Sequence, residues 1–152
     1  MGLVYKQVLR FKKKYPLTIG WRLRQNAAIV EKHLNPDEEP IYSFIAQKND
    51  KSFNFWESAV VTLTNKRLVV GRKRVIFGYF FDTITPDMFN DMKVVSGIVW
   101  GKVYIDTIKE LITLSNIGIE ALPEIETQVS SYMMEMKKDY EDEEEERRRK
   151  KR

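Results

Sequence analysis

Few residues of this chain have the types and spacings that catalysis requires. The sequence has one histidine and no cysteine, which excludes disulfides and thiolate metal sites. His33 lies near the end of a predicted helix, and the sequence indicates neither a nucleophile nor an orienting partner for it. We therefore interpret it as a surface histidine stabilised by the C-terminal end of the helix dipole.

Two other kinds of chemical site are equally poorly supported. The seven glycines are scattered, and none opens a helix after a strand as a phosphate-binding loop would. Asp87 and Asp91 are four residues apart, but two carboxylates are too few for a metal site. Asp87 follows Pro86 and is better explained as a turn or cap residue. The sequence thus predicts no enzyme, no metal, no cofactor and no small-molecule substrate.

The basic N-terminus is the first feature that points to a partner. Its first 24 residues hold seven lysines or arginines and no acidic residue. Apolar residues recur there at spacings of four, three and four, which predicts one face of a helix. Such a helix has three interpretations: docking on its own β domain, packing against another copy or another protein, or contact with a membrane. The residues of this contact arm are Val4, Val8, Phe11, Lys12, Lys13, Lys14 and Tyr15.

The periodicity along the rest of the chain predicts the elements that position these residues. A second helix is expected after Thr18, a usable N-cap, and it ends at Asn35. Residues 41–117 are rich in β-branched and aromatic side chains and contain about seven strands. No long helical pattern separates these strands, so we expect an antiparallel sheet.

Within the sheet, two reversals and one burial pattern are predicted. Ala59, Val61 and Leu63 occupy alternate positions, as in a half-buried strand. Residues 64–67 form a turn, and residues 71–74 form the next reversal.

The C-terminal part of the chain predicts one long helix. Pro123 suits a first helical position. The expected apolar stripe consists of Leu122, Ile125, Val129, Tyr132 and Met136. Beyond Asp139 the helix has no apolar face, but acidic and basic residues four apart predict a solvated helical extension.

The sequence Leu-Thr-Asn-Lys-Arg-Leu at residues 63–68 resembles a hairpin of bacterial pleckstrin-homology (PH) domains. The acidic segment with a proline at residues 37–40 resembles the entry to that hairpin. The whole chain is similar to PH-domain proteins of Gram-positive bacteria. This resemblance implies a seven-stranded antiparallel sandwich or partly open barrel, capped by a C-terminal helix and preceded by a helical arm. It divides the chain into an arm (1–36), a PH-like domain (37–138) and a charged tail (139–152).

The same resemblance implies where an anion would bind. PH domains that bind phosphoinositides place basic residues in the loop between their first two strands and just inside the second strand. The matching loop here offers Lys48 and Lys51. The bases of the next hairpin add positive charge and could meet a phosphate together with them: Arg72, Lys73 and Arg74. Glu57 stands where the family pattern calls for a base, which argues against specific recognition of inositol phosphates. The alternative is that charged loop tips only keep the protein soluble and protect its strand edges.

These features favour a cytoplasmic, non-catalytic interaction module that self-associates or docks to a protein partner. The alternative is peripheral binding of an anionic phospholipid membrane, at its inner face, through the basic arm and loops. No uncharged run is long enough to cross a bilayer, and no secretory signal is visible. Nucleic acid is not expected, because Phe11, Tyr15 and Trp21 lie at helical spacing and not on an open strand platform.

Overall fold

The structure is a computed structural model that describes residues 2–48 and 57–152. It begins with two helices, α1 (Leu3–Lys14) and α2 (Leu23–His33). The strands that follow are β1 (Pro40–Gln47), β2 (Ser58–Thr64), β3 (Leu68–Lys73), β4 (Tyr79–Ile84), β5 (Phe89–Ser96), β6 (Trp100–Thr107) and β7 (Leu111–Gly118). The chain ends in consecutive helical segments: a 3₁₀ turn (Ile119–Ala121), α3 (Leu122–Ile125), a π turn (Glu126–Ser130) and α4 (Ser131–Lys150).

The strands form one antiparallel sheet in the order β4-β3-β2-β1-β7-β6-β5. Two meanders, β1 to β4 and β5 to β7, are joined where Gln47 of β1 lies opposite Ser115 of β7. The sheet curls into a half-barrel with the C-terminal helix and the two N-terminal helices around it. This confirms the predicted fold class, whereas the division of the chain at residues 36 and 138 stays a prediction.

Strand β2 is buried along its whole length, so the predicted half-buried alternation was wrong. The reason is that the N-terminal helices cover the outer face of the sheet: α1 packs on β1, and α2 packs on β2 and β3. Gly71 of β3 permits this close approach, because a Cβ at that position would lie 2.7 Å from Cγ2 of Val30. The central strands are therefore covered on both faces.

Helix α2 begins at Leu23, four residues later than a helix capped by Thr18 would begin. Thr18 is buried, and its hydroxyl accepts a hydrogen bond from the backbone N–H of Gly118 at 2.9 Å instead of capping a helix. We call the extended segment between the helices, residues 15–22, the interhelix strap. It crosses one end of the half-barrel.

The predicted reversal at residues 71–74 was also wrong. Strand β3 continues to Lys73, which lies opposite Tyr79 of β4. The Lys73 N–H is held by the side chain of Asn26 at 2.8 Å, so the pairing is supported from α2. The turn comes later: Arg74 N–H donates to the carbonyl of Gly78 (3.0 Å), and Gly78 supplies the positive φ of 76° that the turn requires.

The C-terminal helix buries a stripe that differs slightly from the predicted one. Its buried residues are Leu122, Ile125, Val129 and Met133, while Tyr132 and Met136 are partly buried beside them. The π turn between α3 and α4 changes the helical register. Beyond residue 138 the helix is solvated, and two predicted ion pairs are present, Glu145–Arg149 and Glu146–Lys150.

Candidate functional site

The apolar stripe of the arm lies on this chain's own sheet. Val4 and Val8 are fully buried, and Phe11 is 3% exposed. The Phe11 ring lies 5.8 Å from the ring of Phe44, in strand β1. Tyr15 is partly buried against the same core. Of the three interpretations of the arm, docking on its own β domain is the one observed, so this stripe presents no free face to a partner.

Two of the arm's lysines have structural partners. Lys12 Nζ donates to the carbonyls of Pro16 (2.8 Å) and Thr18 and thereby fixes the start of the interhelix strap; burial lowers the pKa of Lys12. Lys14 forms an ion pair of 2.6 Å with Glu124 of α3. Lys13 is exposed to solvent. The arm is therefore held at its C-terminal end as well as along its apolar face.

Glu124 is the centre of a polar clamp between α1, β1 and α3. Besides its pair with Lys14, it accepts a hydrogen bond of 2.8 Å from the hydroxyl of Tyr42. Burial favours a raised pKa for Glu124, but the hydrogen bonds from Lys14 and Tyr42 outweigh it and the pKa is lowered. Burial, together with the neighbouring Glu124 charge, raises the pKa of Tyr42. These groups hold α1 to β1 and α3, and they compensate one of the arm's charges, that of Lys14.

The predicted anion-binding residues are only partly brought together. Lys48 forms an ion pair with Asp82 of β4, and Lys51 lies outside the described residues. Arg72 and Arg74 both lie over the ring of Phe80, at 4.5 and 5.3 Å from its centroid. The three bases of the β3–β4 hairpin, at residues 72–74, are therefore the part of the predicted set that the structure groups on one element.

An exposed apolar tip follows these bases directly. Val75 is 49% exposed, Ile76 is 79% exposed and Phe77 is 82% exposed. We call residues 72–80 the basic–apolar hairpin. An open cleft of about 500 Å³ lies against it and is bordered by Glu57 on the inner side. Sequence reasoning missed the tip because it placed the reversal at residues 71–74, which leaves Val75, Ile76 and Phe77 in the strand that follows. The signal was present as three large apolar residues between a basic triplet and a turn glycine.

Comparison with known proteins assigns the family. A family model described as a bacterial PH domain matches residues 34–130, which is more than half of the chain. The protein belongs to the bacterial PH domain family. It is also similar to the crystal structure of a pleckstrin homology domain from Shewanella amazonensis SB2B, with 13% sequence identity and a TM-score of 0.48 over 75% of this chain and 90% of that chain. No curated protein matches the chain.

Family membership places this protein among PH domains, which are generally non-catalytic interaction modules. It also confirms the resemblance that residues 63–68 carried, while the narrower likeness to proteins of Gram-positive bacteria stays a prediction. The fold is a scaffold that many functions share, so the partner has to be argued from the surface.

The hairpin motif of this PH domain has a structural role. Arg67 makes a bidentate pair with Glu38, with Nε–Oε2 at 2.8 Å and Nη2–Oε1 at 2.9 Å. The same guanidinium donates to the carbonyl of His33 (3.0 Å), and Thr64 Oγ1 donates to Glu38 (2.7 Å). The motif thus ties the β2–β3 turn to the segment that connects α2 with β1.

The residues considered for catalysis or metal binding also have structural roles. His33 is partly buried: its ring stacks on Phe81 with centroids 4.4 Å apart, and its Nε2 lies 3.1 Å from the hydroxyl of Tyr79. It is thus a packed side chain, which corrects its interpretation as a surface histidine. Asp87 accepts a hydrogen bond from the Thr85 hydroxyl in the turn before β5, as predicted, whereas Asp91 lies on that strand.

Two further findings concern the described part of the PH domain, residues 2–48 and 57–152. It contains no cluster of three or more histidine or carboxylate side chains suited to a metal ion. None of its helices is both long and apolar enough to span a membrane.

Proposed function

We propose that this PH domain binds anionic membrane surfaces peripherally through the basic–apolar hairpin. The observation that carries the proposal is the exposure of Ile76 (79%) and Phe77 (82%) directly beside three consecutive bases. Apolar side chains this exposed gain free energy when they enter the interfacial region of a bilayer, about 1.5–3 kcal/mol each on full burial. Each adjacent base adds about 1 kcal/mol near an anionic leaflet.

The position of the arm supports this choice over self-association through the arm. Burial of Val4, Val8 and Phe11 removes the apolar face on which an arm-mediated protein contact depends. Lys14 is paired with Glu124, so one of the arm's charges is compensated within the chain. The hairpin combines exposed apolar area with basic charge on a single two-stranded element.

We expect recognition of surface charge and not of one inositol phosphate. Glu57 borders the cleft beside the hairpin. Burial lowers the pKa of Arg72, and the negative charge of Glu57 acts in the opposite direction. A polyphosphate that entered the cleft would meet this carboxylate at close range, which disfavours its binding. Headgroups spread in front of the tip do not have to approach Glu57.

Vesicle co-sedimentation tests the proposal, with phosphatidylcholine vesicles compared to vesicles that also contain phosphatidylglycerol. We expect binding only to the anionic vesicles, and weaker binding when salt is raised from about 0.05 M to about 0.5 M. Phe77→Asp should lower the partition coefficient about tenfold or more. Arg74→Glu should lower it most at low salt.

Ile108→Asp is the matched control. Ile108 is 64% exposed at the tip of the β6–β7 turn, where its N–H donates to the carbonyl of Met88 near the end of β4 remote from the hairpin. This variant should bind anionic vesicles like the unaltered protein. Equal binding to neutral and anionic vesicles, or unchanged binding of Phe77→Asp, would show that the proposal is wrong.

A further inference from the structure

We propose a second membrane contact, linked to the basic–apolar hairpin by the interhelix strap, which gives the bound domain a fixed orientation. It consists of Leu17, Ile98, Val99 and Trp100, and we call it the Leu17–Ile98 wedge. Ile98 is 93% exposed, Leu17 62% and Trp100 43%. The inference rests on the proposed function, because the wedge would contact the same bilayer that the basic–apolar hairpin binds.

The wedge is a preformed surface. Ile98 lies at the tip of the β5–β6 hairpin, which is closed by the N–H of Gly97 donating to the carbonyl of Trp100 (3.0 Å). Trp100 Nε1 donates to the carbonyl of Leu17 at 2.6 Å, so the hairpin is bound to the interhelix strap. An apolar cleft of about 230 Å³ lies between them. No ordering of loops is needed before this surface can be buried.

The interhelix strap fixes the wedge relative to the basic–apolar hairpin. After Leu17, the N–H of Ile19 donates to the carbonyl of Asn116 (2.9 Å) and the N–H of Trp21 donates to the hydroxyl of Ser58 (3.1 Å). Arg22 Nη1 then reaches the carbonyl of Arg74, at the base of the basic–apolar hairpin, at 3.3 Å. Arg22 follows Leu17 by five residues, so the Cα atoms of these two residues are at most about 18 Å apart.

The residues of the strap between the two apolar tips indicate that the partner is a membrane interface. The strap presents Trp21, which is 41% exposed, and the guanidinium of Arg22 lies 5.9 Å from its ring. Tryptophan and basic residues are the side chains that favour the headgroup level of a bilayer. Among the residues lining the wedge's cleft, Glu120 is the one carboxylate. The order along the strap is therefore the wedge, Trp21, Arg22 and the basic–apolar hairpin.

Fluorescence of a single tryptophan tests the wedge directly. A variant with Trp21→Phe and Trp56→Phe keeps Trp100 as the only indole. With vesicles of phosphatidylcholine and phosphatidylglycerol, its emission should shift to shorter wavelength. Phosphatidylcholine brominated near the top of the acyl chains should quench it. Ile98→Asp in the otherwise unaltered chain should weaken vesicle binding about tenfold, while Ile108→Asp should not; thermal melts of all variants check that they are folded.

The outcomes separate this inference from the proposed function. If vesicle binding depends on Phe77 but Trp100 is not quenched and Ile98→Asp binds normally, the wedge is refuted and the hairpin proposal stands. If the unaltered protein does not bind anionic vesicles, both fail. If Ile98→Asp leaves vesicle binding unchanged and instead abolishes a concentration-dependent increase in mass by light scattering, the wedge is a protein interface and the inference is wrong.

Discussion

Replacing Arg67 by methionine should destabilise the protein strongly, because it leaves a buried carboxylate without its cation. The Glu38 side chain is 0% exposed and that of Arg67 is 16% exposed. Arg67→Met removes both bonds to Glu38, and also the bonds to the carbonyl of His33 and the hydroxyl of Thr83, each 3.0 Å long. Among the described residues, the donors that Glu38 then keeps are the hydroxyl of Thr64 and the N–H of Asn35 (3.1 Å).

Breaking one side of a buried ion pair costs about 3–5 kcal/mol, a large part of the roughly 5–15 kcal/mol by which domains are stable. Urea unfolding followed by circular dichroism measures this loss as a lower midpoint at an unchanged slope. Lys66→Met is the control on the same turn, since Lys66 and Asp37 are both exposed and 3.6 Å apart. It should change the midpoint little.

The pH dependence gives this prediction a second, independent readout. Burial favours a raised pKa for Glu38, but the hydrogen bonds from Arg67, Thr64 and the Asn35 N–H outweigh it and lower the pKa. In the unaltered protein this contribution to stability is complete above the unfolded-state pKa, about 4.3. It is lost as the pH falls through the lower pKa of the folded protein. Without Arg67, burial raises the pKa of Glu38. Protonation of Glu38 at acid pH therefore removes the unpaired buried charge and reduces the destabilisation of the variant.

The difference in stability between the two proteins should therefore be largest near pH 7 and should shrink toward pH 4. A double variant, Glu38→Gln with Arg67→Met, should lose less than the two single variants added together, because neither charge is then left buried alone. A loss below about 1 kcal/mol in Arg67→Met, or a difference that does not change with pH, would refute the reasoning.

Three further predictions concern how the helices are held on the sheet. Tyr42→Phe should lower the free energy of unfolding by about 1.5–3 kcal/mol, measured by urea unfolding, because Glu124 loses a charge-assisted hydrogen bond. Gly71→Ala should lower the melting temperature, because its Cβ meets Cγ2 of Val30 at 2.7 Å. Adding Val30→Ala relieves this clash but opens a cavity, and the stability recovered should be smaller than the cost of the cavity. An unchanged melting temperature of Gly71→Ala would contradict the packing. Deleting residues 1–16 should give a protein that fails to unfold cooperatively, since it uncovers the face of β1; a cooperative melt at the original temperature would show that α1 is dispensable.

Local patterns predicted much of this fold because the responsible interactions are local. The strand count follows from runs of β-branched residues between turns, and the stripe of α1 follows from its spacing. The predictions that were wrong concern residues whose hydrogen-bond partners lie far away in the sequence. Thr18 looks like an N-cap, but its hydroxyl is used by Gly118, 100 residues later. Lys73 looks like part of a turn, but Asn26 holds it in the strand.

The candidate site was predictable in part for the same reason. The basic triplet at residues 72–74 is visible in the sequence, and its place at a hairpin was expected. Its relation to the apolar tip was not, because the turn was placed several residues too early. Lys48 could not be separated from the set either, since its partner Asp82 lies 34 residues away on another strand. Sequence alone shows where charge is, and the fold decides which charges are already paired.

This distinction explains why the proposed contact surface is not at the end of the chain that looks most basic. Lys12 and Lys14 of the arm are bonded to the strap and to Glu124, and Arg67 is bonded to Glu38. Bases engaged in this way would have to lose an existing partner before they could meet a headgroup. The cation–π contact of Arg74 with Phe80 carries no such requirement, because an aromatic ring does not neutralise the guanidinium charge. Arg74 therefore keeps its positive charge beside the exposed apolar side chains of the basic–apolar hairpin.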